Sequence, residues 1–182
     1  MPGVGIGYLD EHLMDRDERR VLWSRWSVRR AVGRPCFGQI HPLRQRRAMG
    51  RLLCQVCAGP ADRTEDGVLW LLKDHRDDWV GWPNRMAVSE PPICVPCVRL
   101  SVRVCPALRR GAVVVRAGSY PIAGVIGMEY RCEGYRAVAV GRTMVEYGDP
   151  MARWVLAEHL LRRLGNCALI EVDTLVPLGV EG

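Results

Sequence analysis

Two Cys-x-x-Cys pairs constrain the fold of this chain more than any other feature of its sequence. Cys54 and Cys57 form the first pair, Cys94 and Cys97 form the second, and 36 residues separate the two pairs. Each pair can direct two thiolates at one tetrahedral ion, and the intervening residues are enough for a β-hairpin that brings the pairs together. The spacing therefore predicts one structural Zn²⁺ bound by four thiolates.

Disulfides and a redox-active thiol pair are the main alternatives for these cysteines. The N-terminus lacks the pattern of a signal peptide, because residues 1–7 are short and small and acidic residues follow at once. We therefore expect a cytoplasmic protein in a reducing compartment, where disulfides are rare. A redox-active pair would need a thioredoxin-like order of strand and helix, which the sequence does not show. Unrelated thiols in a hydrophobic core are the remaining alternative.

The other four cysteines carry less information about the site. Cys36, Cys105, Cys132 and Cys167 are isolated in the sequence, and an isolated Cys is typical of a small buried apolar residue. Cys36 and His41 are close enough in sequence for a metal-binding pair, but no second pair completes such a site.

Positive charge is concentrated before the first Cys pair. Residues 1–51 contain 11 Arg against 5 Asp or Glu, whereas residues 52–182 contain 15 basic and 15 acidic residues, so the net charge of +6 lies in the N-terminal region. An Arg-rich segment beside a zinc module predicts a phosphate-binding surface and a nucleic-acid partner. The candidate residues are Arg44, Arg46, Arg47 and Arg51.

A structural role is the alternative for these arginines. They would then form a solvated helix face, or dock on Asp77, Asp78 and other acids of the zinc module. No apolar run approaches the 18 residues of a membrane-spanning helix, so we expect no membrane partner.

Three consecutive regions are expected from the sequence. They are a basic helical region at residues 1–51, a zinc module at residues 52–110, and an α+β region at residues 111–182 that packs on the zinc module as one unit. Apolar spacing predicts an amphipathic helix over residues 8–32, and Pro42 can open a second, short helix that runs through Met49.

The zinc module is expected to begin with a knuckle, in which Gly59 permits a tight turn after the first Cys pair. Residues 68–72 predict a strand. A long ordered loop is expected at residues 74–92, with Trp79 and Trp82 as its packing anchors.

The segment after the second Cys pair, residues 95–110, is compatible with two structures. Its apolar residues alternate as in a strand from Val98 to Val104, and they also fit one face of a helix that Pro106 would end. We favour the helix, because knuckle, hairpin, Cys pair and helix is the order of a treble clef. A strand would instead make the module a zinc ribbon.

The C-terminal region is predicted to be a small antiparallel sheet with a helix. Strands bounded by turn residues are expected at residues 112–116, 121–130 and 137–145. Asp149 and Pro150 form a strong helix start, and apolar spacing predicts a helix that continues through Arg163 and ends at Gly165. A final strand is expected at residues 167–176.

One catalytic pattern is present in part. HNH nucleases place an acidic residue, a His and an Asn between two zinc knuckles, and the His activates water beside a catalytic metal. Asp74, His75 and Asn84 lie between the Cys pairs, but the His expected after the second pair is absent, since only His159 follows. No phosphate loop, nucleophile elbow or metalloprotease motif is found, which favours a protein without catalytic activity.

Three segments around the cysteines carry a resemblance to a protein family. They are Leu52–Arg63, Pro91–Leu100 and Cys105-Pro106. These segments resemble Cys-rich actinobacterial proteins of uncharacterised function, over about residues 34–165. The resemblance implies a zinc-stabilised cytoplasmic protein with a treble-clef-like module, and it implies no particular reaction.

The sequence leaves two main classes of function open. The first is a nucleic-acid-binding or regulatory protein whose Arg-rich region contacts phosphates. The second is a protein-interaction or accessory module, in which zinc only holds the fold and the partner is another protein. A degenerate HNH-like nuclease is a minor third alternative.

Overall fold

The computed structural model describes residues 5–27, 40–108 and 111–175. Contacts between residues divide this part of the chain into two compact units. Unit 1 contains the described residues up to Arg46 together with Ala123–Leu161, and unit 2 contains Arg47–Ile122 together with the described residues from Arg162 onward. Residues 111–175 contribute strands to both units.

Strands and helices alternate irregularly along the described residues, which confirms the α+β class. The strands are β1 (Leu22–Trp23), β2 (Arg63–Thr64), β3 (Gly67–Lys73), β4 (Ala87–Val88), β5 (Ala112–Ser119), β6 (Ile122–Glu133), β7 (Arg136–Glu146), β8 (Val155–Arg163) and β9 (Gly165–Ile170). The α-helices are α1 (Pro42–Arg51), α2 (Val95–Val104) and α3 (Val172–Leu175). Short 3-10 helices cover Leu13–Asp15, Pro106–Leu108 and Pro150–Trp154.

The sheet of unit 1 has the strand order β1-β8-β6-β7. Strands β6 and β7 form a long antiparallel hairpin, and Gly134 in its turn has a φ of 62°, which few residues other than glycine adopt. Gly127 lets β6 and β8 approach closely, because a Cβ there would lie 2.1 Å from the carbonyl oxygen of Leu156. The side chain of Gln45 at the start of α1 is buried and exchanges two hydrogen bonds with the backbone of Leu160.

The sheet of unit 2 has the strand order β2-β3-β5-β9, and its neighbouring strands are antiparallel. Side chains alternate between the two faces of β3, and both faces are buried. Val68, Trp70 and Leu72 enter one hydrophobic cluster, whereas Leu69 and Leu71 enter a second cluster. The second cluster also contains cysteines of both Cys pairs, so this face of the sheet positions the candidate metal centre.

A buried arginine joins three parts of unit 2. The guanidinium of Arg162 donates hydrogen bonds to the carbonyl oxygens of Met49, near the end of α1, and of Tyr120, in the turn between β5 and β6. The Arg162 residue is 7% exposed, and its burial lowers the pKa of the guanidinium. The carbonyl oxygens therefore replace the water that a buried charge loses.

Several expected elements are confirmed. The strand expected at residues 68–72 is β3, and the three expected strands of the C-terminal region correspond to β5, β6 and β7. The short helix that begins at Pro42 is α1. The segment after the second Cys pair is a helix and not a strand, since α2 begins at Val95 and ends before Pro106.

The helix expected over residues 8–32 is wrong for the part that is described, and residues 28–32 lie outside the described residues. The chain instead forms a 3-10 turn at Leu13–Asp15 and then strand β1. Asp17 explains the difference, because its carboxylate accepts hydrogen bonds from the backbone of Val21 and from the indole nitrogen of Trp23. Such local bonds compete with the hydrogen bonds of a helix.

The helix expected from Pro150 to Arg163 is also wrong. Asp149 does cap a helix, since its carboxylate accepts a hydrogen bond from the backbone N–H of Met151, but the helix is a 3-10 helix that ends at Trp154. Strand β8 follows and pairs with β1, β4 and β6. Pairing on both sides has overridden the helical propensity of Leu, Ala and Glu in this segment.

The structure after β8 also differs from the expectation. Gly165 does not end a helix but begins β9, and β9 ends at Ile170, before helix α3. Residues 171–175 therefore do not continue the strand expected at residues 167–176, and residue 176 lies outside the described residues. None of the helices in the described ranges is both long and apolar enough to cross a membrane.

Candidate metal centre

The first Cys pair lies in a tight turn just after α1. The backbone N–H of Cys54 donates to the carbonyl oxygen of Gly59 at 2.7 Å, and Ala58 N–H donates to the carbonyl oxygen of Cys54 at 2.9 Å. The positive φ of this turn, 60°, belongs to Ala58 and not to Gly59, contrary to expectation. A Cβ at Gly59 would lie 3.5 Å from the Sγ atom of Cys57, which is an ordinary van der Waals contact, so this thiol does not require glycine there.

The second Cys pair lies at the start of α2. Cys94 is the N-cap residue, and its carbonyl oxygen accepts hydrogen bonds from the backbone N–H groups of Cys97 and Val98, each at 3.0 Å. Pro96 fits this first turn, where its missing N–H would have no helical partner. Residues three apart lie on one side of a helix start, so both thiols of this pair face the same way.

The two pairs meet through backbone hydrogen bonds of the segment that directly precedes the second pair. Ile93 N–H, directly before the second pair, donates to the carbonyl oxygen of Leu69 at 2.9 Å, and Gln55 N–H in the first pair donates to that of Pro92 at 3.0 Å. Cys54 is fully buried and Cys97 is 8% exposed. These contacts fix the cluster against one face of the sheet.

The four Sγ atoms lie within 4.8 Å of one another. Thiolates placed 2.3 Å from one tetrahedral ion would be separated by about 3.8 Å, and the Sγ atoms of Cys57 and Cys94 are 3.8 Å apart. A disulfide would need a separation of about 2.05 Å, and all four cysteines are free. The geometry is thus that of a metal site and not of a disulfide pair.

The pKa values of the clustered thiols also favour binding of a cation. Burial opposes ionisation of the Cys54 thiol, but backbone hydrogen bonds from Cys57 and Cys94 outweigh it and lower the pKa to about 7. Burial and the neighbouring Cys94 and Cys54 thiols raise the pKa of Cys97 far above its ordinary value. One thiolate is favoured and a second beside it is disfavoured, so four thiolates together need a positive ion.

Four clustered thiols suit zinc or iron, because soft sulfur ligands select these metals over magnesium or calcium. An ion bound tetrahedrally by all four cysteines would have no position left for water or a substrate. Such a site can hold a fold together but offers no open position for catalysis.

The HNH-like candidates have structural partners. The side-chain oxygen of Asn84 accepts a hydrogen bond from the backbone N–H of Cys167 at 3.0 Å, which ties the loop before β4 to β9. His75 Nδ1 lies 3.0 Å from an oxygen of Asp78, and both side chains are substantially exposed. In the same loop Trp82 packs into the core as expected, whereas Trp79 is 42% exposed and is not a packing anchor.

The candidate arginines lie on α1 and do not share one environment. The guanidinium of Arg46 lies 4.2 Å from the ring centroid of Trp23, so this side chain packs within unit 1. Arg44, Arg47 and Arg51 are exposed, and their spacing places them on one side of the helix. The opposite side, with Gln45 and Met49, is buried.

Other N-terminal arginines are neutralised in ways that the sequence did not indicate. Arg25 forms ion pairs with Asp10 and Asp15, and Arg16 pairs with Glu11. These partners are five to fifteen residues apart, and no motif links them. Ion pairs within the protein therefore neutralise part of the positive charge of this region.

Among the described residues, Cys105, Cys132, Cys167 and His41 contribute no ligand to the cluster. Cys105 and Cys167 are half-buried, whereas Cys132 is exposed and does not fit the expectation of a buried apolar residue. His41 packs edge-on against Trp26 with ring centroids 5.9 Å apart. Its proposed partner Cys36 lies outside the described residues.

No protein-family model, curated protein or solved structure matches the chain. The geometry of the four cysteines is therefore the basis for the chemistry of the site.

Proposed function

We propose that the chain binds one Zn²⁺ through Cys54, Cys57, Cys94 and Cys97, and that this metal is structural. The observation that supports the proposal is the set of four thiols whose Sγ atoms lie within 4.8 Å of one another. Zinc is redox-inert and takes four thiolates at the corners of a tetrahedron, as this donor set requires. With every position filled by protein, the metal stabilises the fold and activates no water.

The order of elements supports a treble-clef-like arrangement for this module. The knuckle with the first pair is followed by the antiparallel β2–β3 pair, and the second pair lies in the first turn of α2. A zinc ribbon would place the second pair in a strand turn instead. In this arrangement zinc links the knuckle to the helix across one face of the sheet.

We further propose that α1 contacts the phosphates of a nucleic acid. Pro42–Arg51 contains no acidic residue, and Arg44, Arg47 and Arg51 occupy one exposed side over about 10 Å of helix. Within the described ranges no ion pair involves Arg47 or Arg51, and Asp78 pairs with His75 instead. This favours a phosphate-binding role over docking on the acids of the zinc module.

A salt titration of nucleic-acid binding tests this part of the proposal. Changing Arg44, Arg47 and Arg51 to Gln should weaken binding to unrelated sequences about equally and should reduce the salt slope by roughly 2.7 for duplex DNA, since each phosphate contact contributes about 0.9. Arg46 is left unchanged, because it packs on Trp23.

The control variant loses the same charge elsewhere. Changing Arg103, Arg131 and Arg136 to Gln removes three exposed arginines from other elements. Equal weakening in both variants would show that only net charge matters. A wild-type protein that binds neither DNA nor RNA at low salt would end the nucleic-acid proposal and leave the zinc proposal untouched.

A protein-interaction module is the second candidate, and one observation favours it. Leu100 and Val104 are 50% and 61% exposed on α2, and four-residue spacing places them on one side of that helix. Exposed apolar surface can mark a site for a protein partner when it forms a contiguous patch. Stable co-purification of one protein, lost when Leu100 and Val104 are changed to Ser, would support this candidate.

A further inference from the structure

Unit 1 contains a groove of about 650 Å³ between its N-terminal segment and the turn that follows β7. This volume lies within the range of sites that bind small molecules. Four arginines line the groove, together with the carboxylates of Glu11 and Asp149, so its lining carries a net charge of +2. The arginines are Arg16, Arg19, Arg20 and Arg153.

Both carboxylates already have partners inside the protein. Glu11 accepts hydrogen bonds from two nitrogens of Arg16, at 2.7 and 2.9 Å, so these two charges neutralise each other. Asp149 accepts a hydrogen bond from the backbone N–H of Met151 at 2.8 Å. The remaining three arginines therefore dominate the potential inside the groove.

Two of these arginines, Arg19 and Arg153, are held in place by contacts that leave guanidinium N–H donors available to a ligand. The guanidinium of Arg19 lies 4.5 Å from the ring centroid of Tyr147, and the hydroxyl of Tyr147 donates to Asp17 at 2.6 Å. Arg153 donates through Nε to the carbonyl oxygen of Pro150 at 3.0 Å, and its two terminal nitrogens remain. Arginines fixed in this way lose less conformational entropy when they bind an anion.

Gly5 shapes one wall of the groove. Its φ is 136°, and a Cβ at this position would lie 2.4 Å from the carbonyl oxygen of Arg153. The next residue, Ile6, donates its backbone N–H to that same oxygen at 3.0 Å. The N-terminal segment can therefore lie against Arg153 only with glycine at this position, and the groove depends on that contact.

We propose that this groove binds the phosphate group of a small phosphorylated ligand of nucleotide size. Several guanidinium groups that line one groove suit a multiply charged phosphate better than a single carboxylate. The volume exceeds what inorganic phosphate alone would fill and leaves room for an attached organic group. The site lies in unit 1 and is independent of the four cysteines, which all lie in unit 2.

Calorimetric titration with ADP, with inorganic pyrophosphate and with a short single-stranded oligonucleotide tests the proposal on the full-length chain. We expect ADP and pyrophosphate to bind, and we expect an Arg19→Gln/Arg153→Gln variant to bind both roughly tenfold more weakly or worse, since each charge-assisted hydrogen bond contributes substantially. Arg20→Gln provides a second variant, because the Arg20 guanidinium has no partner in the described part of the chain and its loss leaves the fold intact.

An Arg131→Gln/Arg136→Gln variant is the matched control, since it removes two exposed arginines of unit 1 outside the groove. Equal weakening in this control would overturn the proposal by showing a general charge effect. No binding of ADP or pyrophosphate at low salt would also overturn it, and so would binding of the oligonucleotide alone. Unchanged ADP binding in the α1 variant, in which Arg44, Arg47 and Arg51 are Gln, would support a site separate from the α1 surface.

Discussion

Replacing Cys97 by Ser tests whether the metal holds the second hydrophobic cluster of unit 2. Cys97 is 8% exposed and lies in that cluster with Leu69, Val98 and Val114. The substitution removes one of four thiolates and leaves a hydroxyl, which is a poor ligand for zinc. It changes the side-chain volume little, so the direct effect on packing is small.

The expected effect is large on the scale of protein stability. A structural zinc site contributes about 10 kcal/mol or more to folding, whereas a whole domain is stable by only about 5–15 kcal/mol. If the substitution removes even a third of the metal contribution, roughly 3 kcal/mol, the open state becomes on the order of 100-fold more populated.

Hydrogen–deuterium exchange measures this population directly. Peptides that cover β3 and α2 should exchange on the order of 100-fold faster in Cys97→Ser than in the wild type, and a zinc chelator should have the same effect on the wild type. Cys105→Ser is the matched control, because Cys105 follows the same helix but is no ligand. If β3 and α2 in Cys97→Ser exchange as slowly as in the wild type, the metal does not hold this cluster, and apolar packing alone holds the module.

Two further predictions concern buried groups outside the metal centre. Arg162→Met should destabilise the protein by about 1–3 kcal/mol for each carbonyl oxygen that loses its donor, those of Met49 and Tyr120, as measured by chemical denaturation. Exposed Arg103→Met should change the stability little. Burial raises the pKa of Cys167 to about 11, so its alkylation rate should keep rising until the pH is near 11. In urea the same rate should level off near pH 9, and a folded protein that also levels off there would contradict the burial argument.

The candidate site was more predictable from the sequence than the fold. Each Cys-x-x-Cys turn orients its two thiols locally. The two pairs are then joined by a long-range backbone contact, the hydrogen bond from Gln55 N–H to the carbonyl oxygen of Pro92. The helix after the second pair was predicted for the same reason, since Pro96 and Pro106 limit where it can begin and end.

The errors in the fold have physical causes that local patterns do not contain. Residues 155–163 have good helical propensity. They nevertheless form strand β8, because β1, β4 and β6 all pair with this segment. The N-terminal segment has apolar residues at helical spacing, but its backbone is redirected by hydrogen bonds that Val21 N–H and the Trp23 indole N–H donate to the Asp17 carboxylate. Both outcomes depend on contacts that a single sequence does not specify.

The metal content of the purified, reduced protein tests the central claim most directly. Elemental analysis of the wild type, of Cys54→Ser and of the control Cys105→Ser should be made on protein that was never exposed to added metal. We expect one zinc per chain in the wild type and in Cys105→Ser, and far less in Cys54→Ser. Metal-free wild-type protein, iron in place of zinc, or full zinc content in Cys54→Ser would contradict this expectation.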